Sequence, residues 1–302
     1  MMEKTKAIFV MQPKGGCGKT TVTEIVTTIY ESSGKKALVV DVDDGNSAFT
    51  RRAGPNSAIQ LSWMTTPDRA TGWIDEHLEG QEFVCFDLGA NLSVSGTPVT
   101  QFLGAVVNHL REKGAQLHFF AIDPTNSPGC GQLVATINND LGALGEVHIV
   151  QNNVDGSGCF STSLDTIGIP AICVPHFDAG IQAARLLTPA PLLKLLENPP
   201  QGYELAMAHY AQKLLELAVQ DNFKKIIGDC DLSKLQALAA DAPRGLYFMV
   251  QTLRAASNSA IRANAEYRRA LDALCSADFG NRDAACSKAR DFVAAYAKFH
   301  AV

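Results

Sequence analysis

Two lysines, two hydroxyls and three glycines crowd one short stretch, Gln12-Pro13-Lys14-Gly15-Gly16-Cys17-Gly18-Lys19-Thr20-Thr21. Glycines at 15, 16 and 18 let a backbone curl and approach a polyphosphate that a Cβ would hold off. The N–H groups freed by such a curl point at phosphate oxygens. A lysine at position 19 would reach the β- and γ-phosphates, and the Thr20 hydroxyl would hold Mg2+. Cys17 and Thr21 belong to the same binding set, although the Cys17 thiol is assigned no chemistry.

Such a loop needs a strand before it and a helix after it. The apolar run Ala7-Ile8-Phe9-Val10-Met11 predicts a buried strand, and 22–32 predicts a helix. The order strand, glycine loop, helix is that of a phosphate-binding P-loop, with the positive end of the helix dipole behind the anion. A glycine-rich turn with two solvated lysines would lack these flanks. A second apolar strand, Ala37-Leu38-Val39-Val40, runs into Asp41-Val42-Asp43-Asp44-Gly45-Asn46, so three acids gather at one strand end. Functional residues of parallel sheets collect at such ends, although Asp41 and Asp43 would also serve as turn and capping acids. A third strand, Glu82-Phe83-Val84-Cys85-Phe86, ends in Asp87-Leu88-Gly89, the Walker B pattern. Asp87 would hold Mg2+ through water, and Gly89 would let the next loop move when the γ-phosphate leaves.

Strands continue to alternate with helices. Strands are predicted at 116–122, 146–150 and 169–174, and helices at 97–112 and 132–141. The alternation predicts a doubly wound α/β fold with a mostly parallel sheet. Residues 47–81 read as a variable surface segment with one helix near 73–78. The amides Asn152 and Asn153 follow a strand, where an Asn side chain can pair with both the donor and the acceptor of adenine. Asn153 is favoured. His176 reads as a surface or capping histidine.

The eight cysteines form no Cys-x-x-Cys pair and sit mostly in apolar surroundings, as reduced thiols do. No apolar run approaches the roughly 18 residues of a membrane span, and the N-terminus leads directly into the first strand. A cytoplasmic protein is expected. From Ile181 onward apolar residues recur every three or four positions, which predicts helices. A nucleotide-binding domain over 1–221 and a helical C-terminal extension over 222–302 are expected. Net charge is −9 before residue 222 and +4 from there on, within an overall −5. A basic tail faces polyanions, but a solvated helical surface would carry the same charge.

Lys14 opens the loop as Lys-Gly-Gly-Cys-Gly-Lys-Thr-Thr, and this resembles the deviant Walker A motif of the ParA/MinD ATPases. The resemblance spans roughly residues 5 to 195. It implies ATP and Mg2+ as cofactors and a homodimer in the ATP state, with Lys14 crossing to the partner's nucleotide. Asp43 matches the acid that orients the attacking water. Asp41 matches the acid before it and joins Thr20 and Asp87 as a metal residue. The family usually has Pro where this chain has Asp44. The loop Pro175-His176-Phe177-Asp178 resembles the one that flanks the base, which implies contacts from Pro175 and Asp178.

The stretches 41–49 and 87–91 look like the TraL-type conjugal-transfer branch, which carries Asp-x-Gly-Ala after the third strand. In ParA-like proteins basic residues near the C-terminus grip DNA without sequence preference. Arg262, Arg268, Arg269, Lys288, Arg290 and Lys298 are the candidates here. In MinD-like proteins the C-terminus is a membrane helix instead, and Phe292, Tyr296 and Phe299 recur at a helical spacing that would suit a bilayer or a core beneath. An activating partner protein or peptide is also implied. The same P-loop serves small-molecule kinases and synthetases, which have no use for Lys14. Iron–sulfur reductases need cysteines after Walker B, and 88–106 has none.

Overall fold

The computed structural model describes residues 5–42, 47–62, 64–89, 97–127, 130–160, 171–177, 188–200 and 203–240, with the single positions 269 and 291. Seven strands form one sheet in which every pairing is parallel. They are β1 (Lys6–Met11), β2 (Leu38–Val42), β3 (Ile59–Gln60), β4 (Phe83–Leu88), β5 (Gln116–Pro124), β6 (Glu146–Asn152) and β7 (Ala171–Val174). The order across the sheet is β3-β2-β4-β1-β5-β6-β7. The α/β fold and parallel sheet expected from the alternation are therefore observed.

The strands in the middle of the sheet are apolar at nearly every position because helices cover both faces. On one face Phe9 stacks on Phe86 at 4.5 Å and on Phe119 at 5.4 Å. Each such pair contributes about 0.5–1.5 kcal/mol beyond its area. This core is closed by α3 (Pro67–His77) through Ala70 and Ile74, by α4 (Thr97–Glu112) through Phe102, Val106 and Leu110, and by α5 (Cys130–Leu141) through Val134. On the other face lies α1 (Lys19–Ser32). It buries Val22, Ile25, Val26 and Ile29, the i, i+3, i+4, i+7 stripe of an amphipathic helix. Tyr30 of α1 stacks on Phe83 at 4.1 Å.

The segment 47–81 holds more than the one helix read from sequence. It carries α2 (Ala48–Ala53) and the two-residue edge strand β3 as well as α3, which starts at Pro67. Two residues give no periodicity to detect, and Pro67 marks the first turn of a helix. At the opposite edge Gln220 covers β7: its side-chain amide accepts from the Cys173 N–H at 3.0 Å and donates to the Cys173 carbonyl at 2.9 Å. Its side chain thereby takes up hydrogen-bonding positions on this strand that a neighbouring strand would use. Asn222 of α8 (Asp221–Ile227) donates to the Ala171 carbonyl at 3.0 Å.

The chain divides into two compact units. One holds the sheet and takes in 189–193 and 215–232. The other includes 194–214 and 233–240, thus most of α7 (Glu204–Ala218) and all of α9 (Ser233–Ala239). There Lys234 pairs with Glu197, the last residue of α6 (Leu192–Glu197). Among the described residues no helix is long and apolar enough to cross a membrane.

Candidate functional site

The loop 12–18 leaves the C-terminal end of β1, between β4 and β5, and delivers the chain into α1. Gly16 (φ 75°) and Gly18 (φ 86°) take the left-handed conformation that L side chains rarely adopt. Gly18 also caps α1, and a Cβ there would overlap the Asn152 amide nitrogen. Lys14, Gly15 and Gly16 are exposed. Among the described residues nothing accepts from their backbone N–H groups, so these donors remain for an anion at the helix N-terminus. Lys19 is 8% exposed, and its Nζ donates to the carbonyls of Gln12 at 2.9 Å and Lys14 at 3.1 Å. Gln12 Nε2 fixes the start of the loop on the Ile122 carbonyl of β5 at 2.5 Å.

Cys17 is buried, and its carbonyl accepts from Asn152 Nδ2 at 3.0 Å. Burial first, then nearby Cys17, pushes the Cys130 thiol up to about 11, so that thiol stays neutral. Asn152 is itself buried at the end of β6 and ties this strand to the loop. Asn152→Ala leaves a buried carbonyl without its donor, a cost of about 1–3 kcal/mol. Urea denaturation should show that loss as a lower midpoint at unchanged slope.

The parallel register places Asp41 of β2 directly beside Asp87 of β4. Both are buried. Asp87 Oδ1 accepts from Thr23 Oγ1 at 3.3 Å, and the Thr20 hydroxyl also bonds this carboxyl. Burial pushes the Asp87 carboxyl up to about 7, against the Thr20 bond; the Asp41 charge adds to the rise, and Lys19 and Thr23 oppose it. Two buried acids with hydroxyls beside them form an all-oxygen donor set, which fits a hard cation such as Mg2+. Asp41 Oδ2 accepts from Thr50 Oγ1 at 3.1 Å and from Gln60 Nε2 at 3.2 Å.

Sequence reading missed Arg52 of α2. Its Nη1 donates to Thr21 Oγ1 at 3.1 Å and stands 3.7 Å from the buried Glu24 carboxylate. α2 is thereby fastened to the first turns of α1. Only the folded chain brings these residues together, so no local signal announces the contact.

The loops after β5, β6 and β7 are stitched into one rim. Thr125 N–H donates to the Asn152 carbonyl at 3.2 Å, and Asn153 N–H to the Val174 carbonyl at 3.1 Å. His176 Nδ1 donates to the carbonyls of Asn153 at 3.2 Å and Val154 at 3.1 Å, which fixes its tautomer. Asn153 is half-buried and its Oδ1 accepts from Gly158 N–H at 3.2 Å. Pro175, also half-buried, lies in the same rim. Asp43 and Asp178 lie outside the described residues. So do Arg262, Arg268, Lys288, Arg290, Lys298, Phe292, Tyr296 and Phe299, whereas Arg269 is exposed and helical.

A parallel sheet whose first strand feeds a glycine loop and a helix, with acids at two adjoining strand ends, defines a P-loop nucleotide-binding protein. The chain belongs to the CobQ/CobB/MinD/ParA nucleotide-binding domain family, whose model matches residues 8–244. Among solved structures it is similar to the MinC:MinD cell division protein complex of Aquifex aeolicus. That match has 14% identity over 72% of this chain and 97% of the other, with a TM-score of 0.45. It is also similar to chloroplast FtsY from Physcomitrella patens, at 14% identity over 57% of this chain and 58% of the other, with a TM-score of 0.39. No curated protein sequence matches the chain.

Proposed function

We propose that this protein is an ATPase switch: it dimerises on ATP and Mg2+, hydrolyses ATP slowly and changes partners with the nucleotide. The observation that carries this reading is the loop on β1 with its two lysines in different settings. Lys19 is buried against its own loop, while Lys14 is exposed at the loop's mouth. A single chain needs one lysine for the β/γ-phosphates; an exposed second one suits a nucleotide bound by a facing copy. Thr20, Asp41 and Asp87 would hold Mg2+, and Asp43 would orient the attacking water. Gly15, Gly16, Cys17, Gly18 and Thr21 would cradle the phosphates, with Asn153, Pro175 and Asp178 near the base.

Residues 222–302 would act as a helical extension of the nucleotide-binding domain. Their basic side chains would hold DNA through its phosphates in the dimer, so that hydrolysis, set off by a partner protein, positions or transfers a DNA cargo. Light scattering with ATP, with ADP and without nucleotide tests the switch. We expect a dimer only with ATP, and at least about a tenfold weaker dimer in Lys14→Ala, the loss of roughly 1.4 kcal/mol or more. A monomer under all conditions would overturn the reading in favour of an enzyme acting on a small acceptor.

A further inference from the structure

At the other end of the sheet, away from the loop, three side chains converge. Glu146 opens β6 and His148 is two residues on, so both project from the same face of that strand. The register sets His118 of β5 beside Glu146. His118 Nδ1 and His148 Nε2 stand 3.3 Å apart, and Glu146 Oε2 is 3.6 Å from each. Ligand atoms of a four-coordinate ion with bonds of about 2.0–2.1 Å stand about 3.4 Å from one another. The three atoms form a near-equilateral triangle of that size.

We propose that His118, Glu146 and His148 bind a divalent transition-metal ion of the Zn2+ class, at a site separate from the nucleotide and its Mg2+. A hydrogen bond between the two rings accounts for one edge of the triangle only. It leaves the carboxylate beyond hydrogen-bonding reach of both nitrogens. The outer ring nitrogens, His118 Nε2 and His148 Nδ1, are buried with no partner among the described residues, so the polar contacts of each ring run through its inner nitrogen. A salt bridge from Glu146 would require a protonated ring. Both imidazoles are buried, and the neutral imidazole is the form that ligates.

Two imidazoles and one carboxylate suit Zn2+ and its neighbours rather than Mg2+ or Ca2+, which take oxygen ligands. His118 and His148 are buried, but the Glu146 side chain is 72% exposed. The ion would thus enter from the Glu146 side and keep its fourth position there for water or a partner's side chain. The nearby cation Lys6 is held by the Ile226 carbonyl at 2.6 Å. Bound metal would clamp the first turns of the β5–β6 ladder together.

The test uses the full chain without a histidine tag, freed of metal and nucleotide. Zn2+ is titrated against a chromophoric chelator, and Co2+ is used to report geometry. We expect one Zn2+ per chain and visible tetrahedral Co2+ bands without thiolate charge transfer. Loss of affinity should exceed the roughly 100-fold ceiling of outer-shell changes in His118→Gln and His148→Gln, and be roughly tenfold or more in Glu146→Gln. Glu146 is at the surface, so its variant keeps the fold and the test stands even if a histidine variant unfolds. Less than one Zn2+ per chain would overturn the proposal. So would binding unchanged in Glu146→Gln or in the histidine variants, or a thiolate band that moves the ion to the cysteines. None of these results bears on the proposed dimerisation, which light scattering reads separately once ATP and Mg2+ are added.

Discussion

Lys19→Ala should lower ATP hydrolysis by about 10²–10³-fold, the range for removing one preorganised donor from developing charge. Lys19 Nζ bridges the carbonyls of Gln12 and Lys14 and is buried. Its charge is therefore placed by the loop before any phosphate arrives, and no reorganisation is needed at the moment of reaction. The fold should survive: Lys14 is exposed, and leaving the buried Gln12 carbonyl without its donor costs about 1–3 kcal/mol, less than the stability of an ordinary domain. Phosphate release in single-turnover assays, alongside circular dichroism, measures both. Hydrolysis within threefold of the parent would refute the proposed role of Lys19.

Asp87→Asn should separate stability from activity. The carboxyl is pushed up to about 7 in the folded chain, chiefly by burial, against an ordinary 3.8. Below about pH 4 the acid is neutral in folded and unfolded chains alike, and no penalty arises. Between about pH 4 and 7 the unfolded chain ionises this acid while the folded chain keeps it protonated, so stability falls across that window by something on the order of 4 kcal/mol and levels off above it. Asparagine stays neutral throughout. In EDTA and without nucleotide, the variant should be more stable than the parent at pH 8, and the gap should narrow towards pH 5. With Mg2+ and ATP the order should reverse, with hydrolysis down about 100-fold or more if Asp87 holds the cation's waters. Destabilisation at pH 8 in EDTA would mean that the bonds from Thr20 and Thr23 and the Lys19 charge outweigh burial.

Much of the frame was legible because its signals are local. β1, β2, β4, β5 and β6 are mostly apolar runs, and the P-loop is a single contiguous motif. β3 was not legible, since two residues carry no pattern. Nor was the bond from Asn152 to the Cys17 carbonyl: an amide at a strand end reads equally well as a base contact. Arg52 carries no local signal, because only the fold lays α2 beside Thr21 and Glu24. His118 and His148 were hidden for another reason. Each sits within an apolar strand, and only the register between β5 and β6 brings them together with Glu146.

The strand order has a consequence for how the protein comes into being. β1 lies between β4 and β5, pairing Lys6 with Phe83 on one side and with Gln116 on the other. On the ribosome the phosphate loop is made before either of these neighbours. Yet its strand has no neighbour until β4 has emerged, and only one until β5 follows. Such long-range parallel pairing is slow to form and leaves apolar strands open to wrong partners meanwhile. The phosphate loop, made before the strands that flank β1, thus reaches its working shape only after they follow. Nucleotide cannot template the early chain; it can only capture and stabilise one whose central strands have already met.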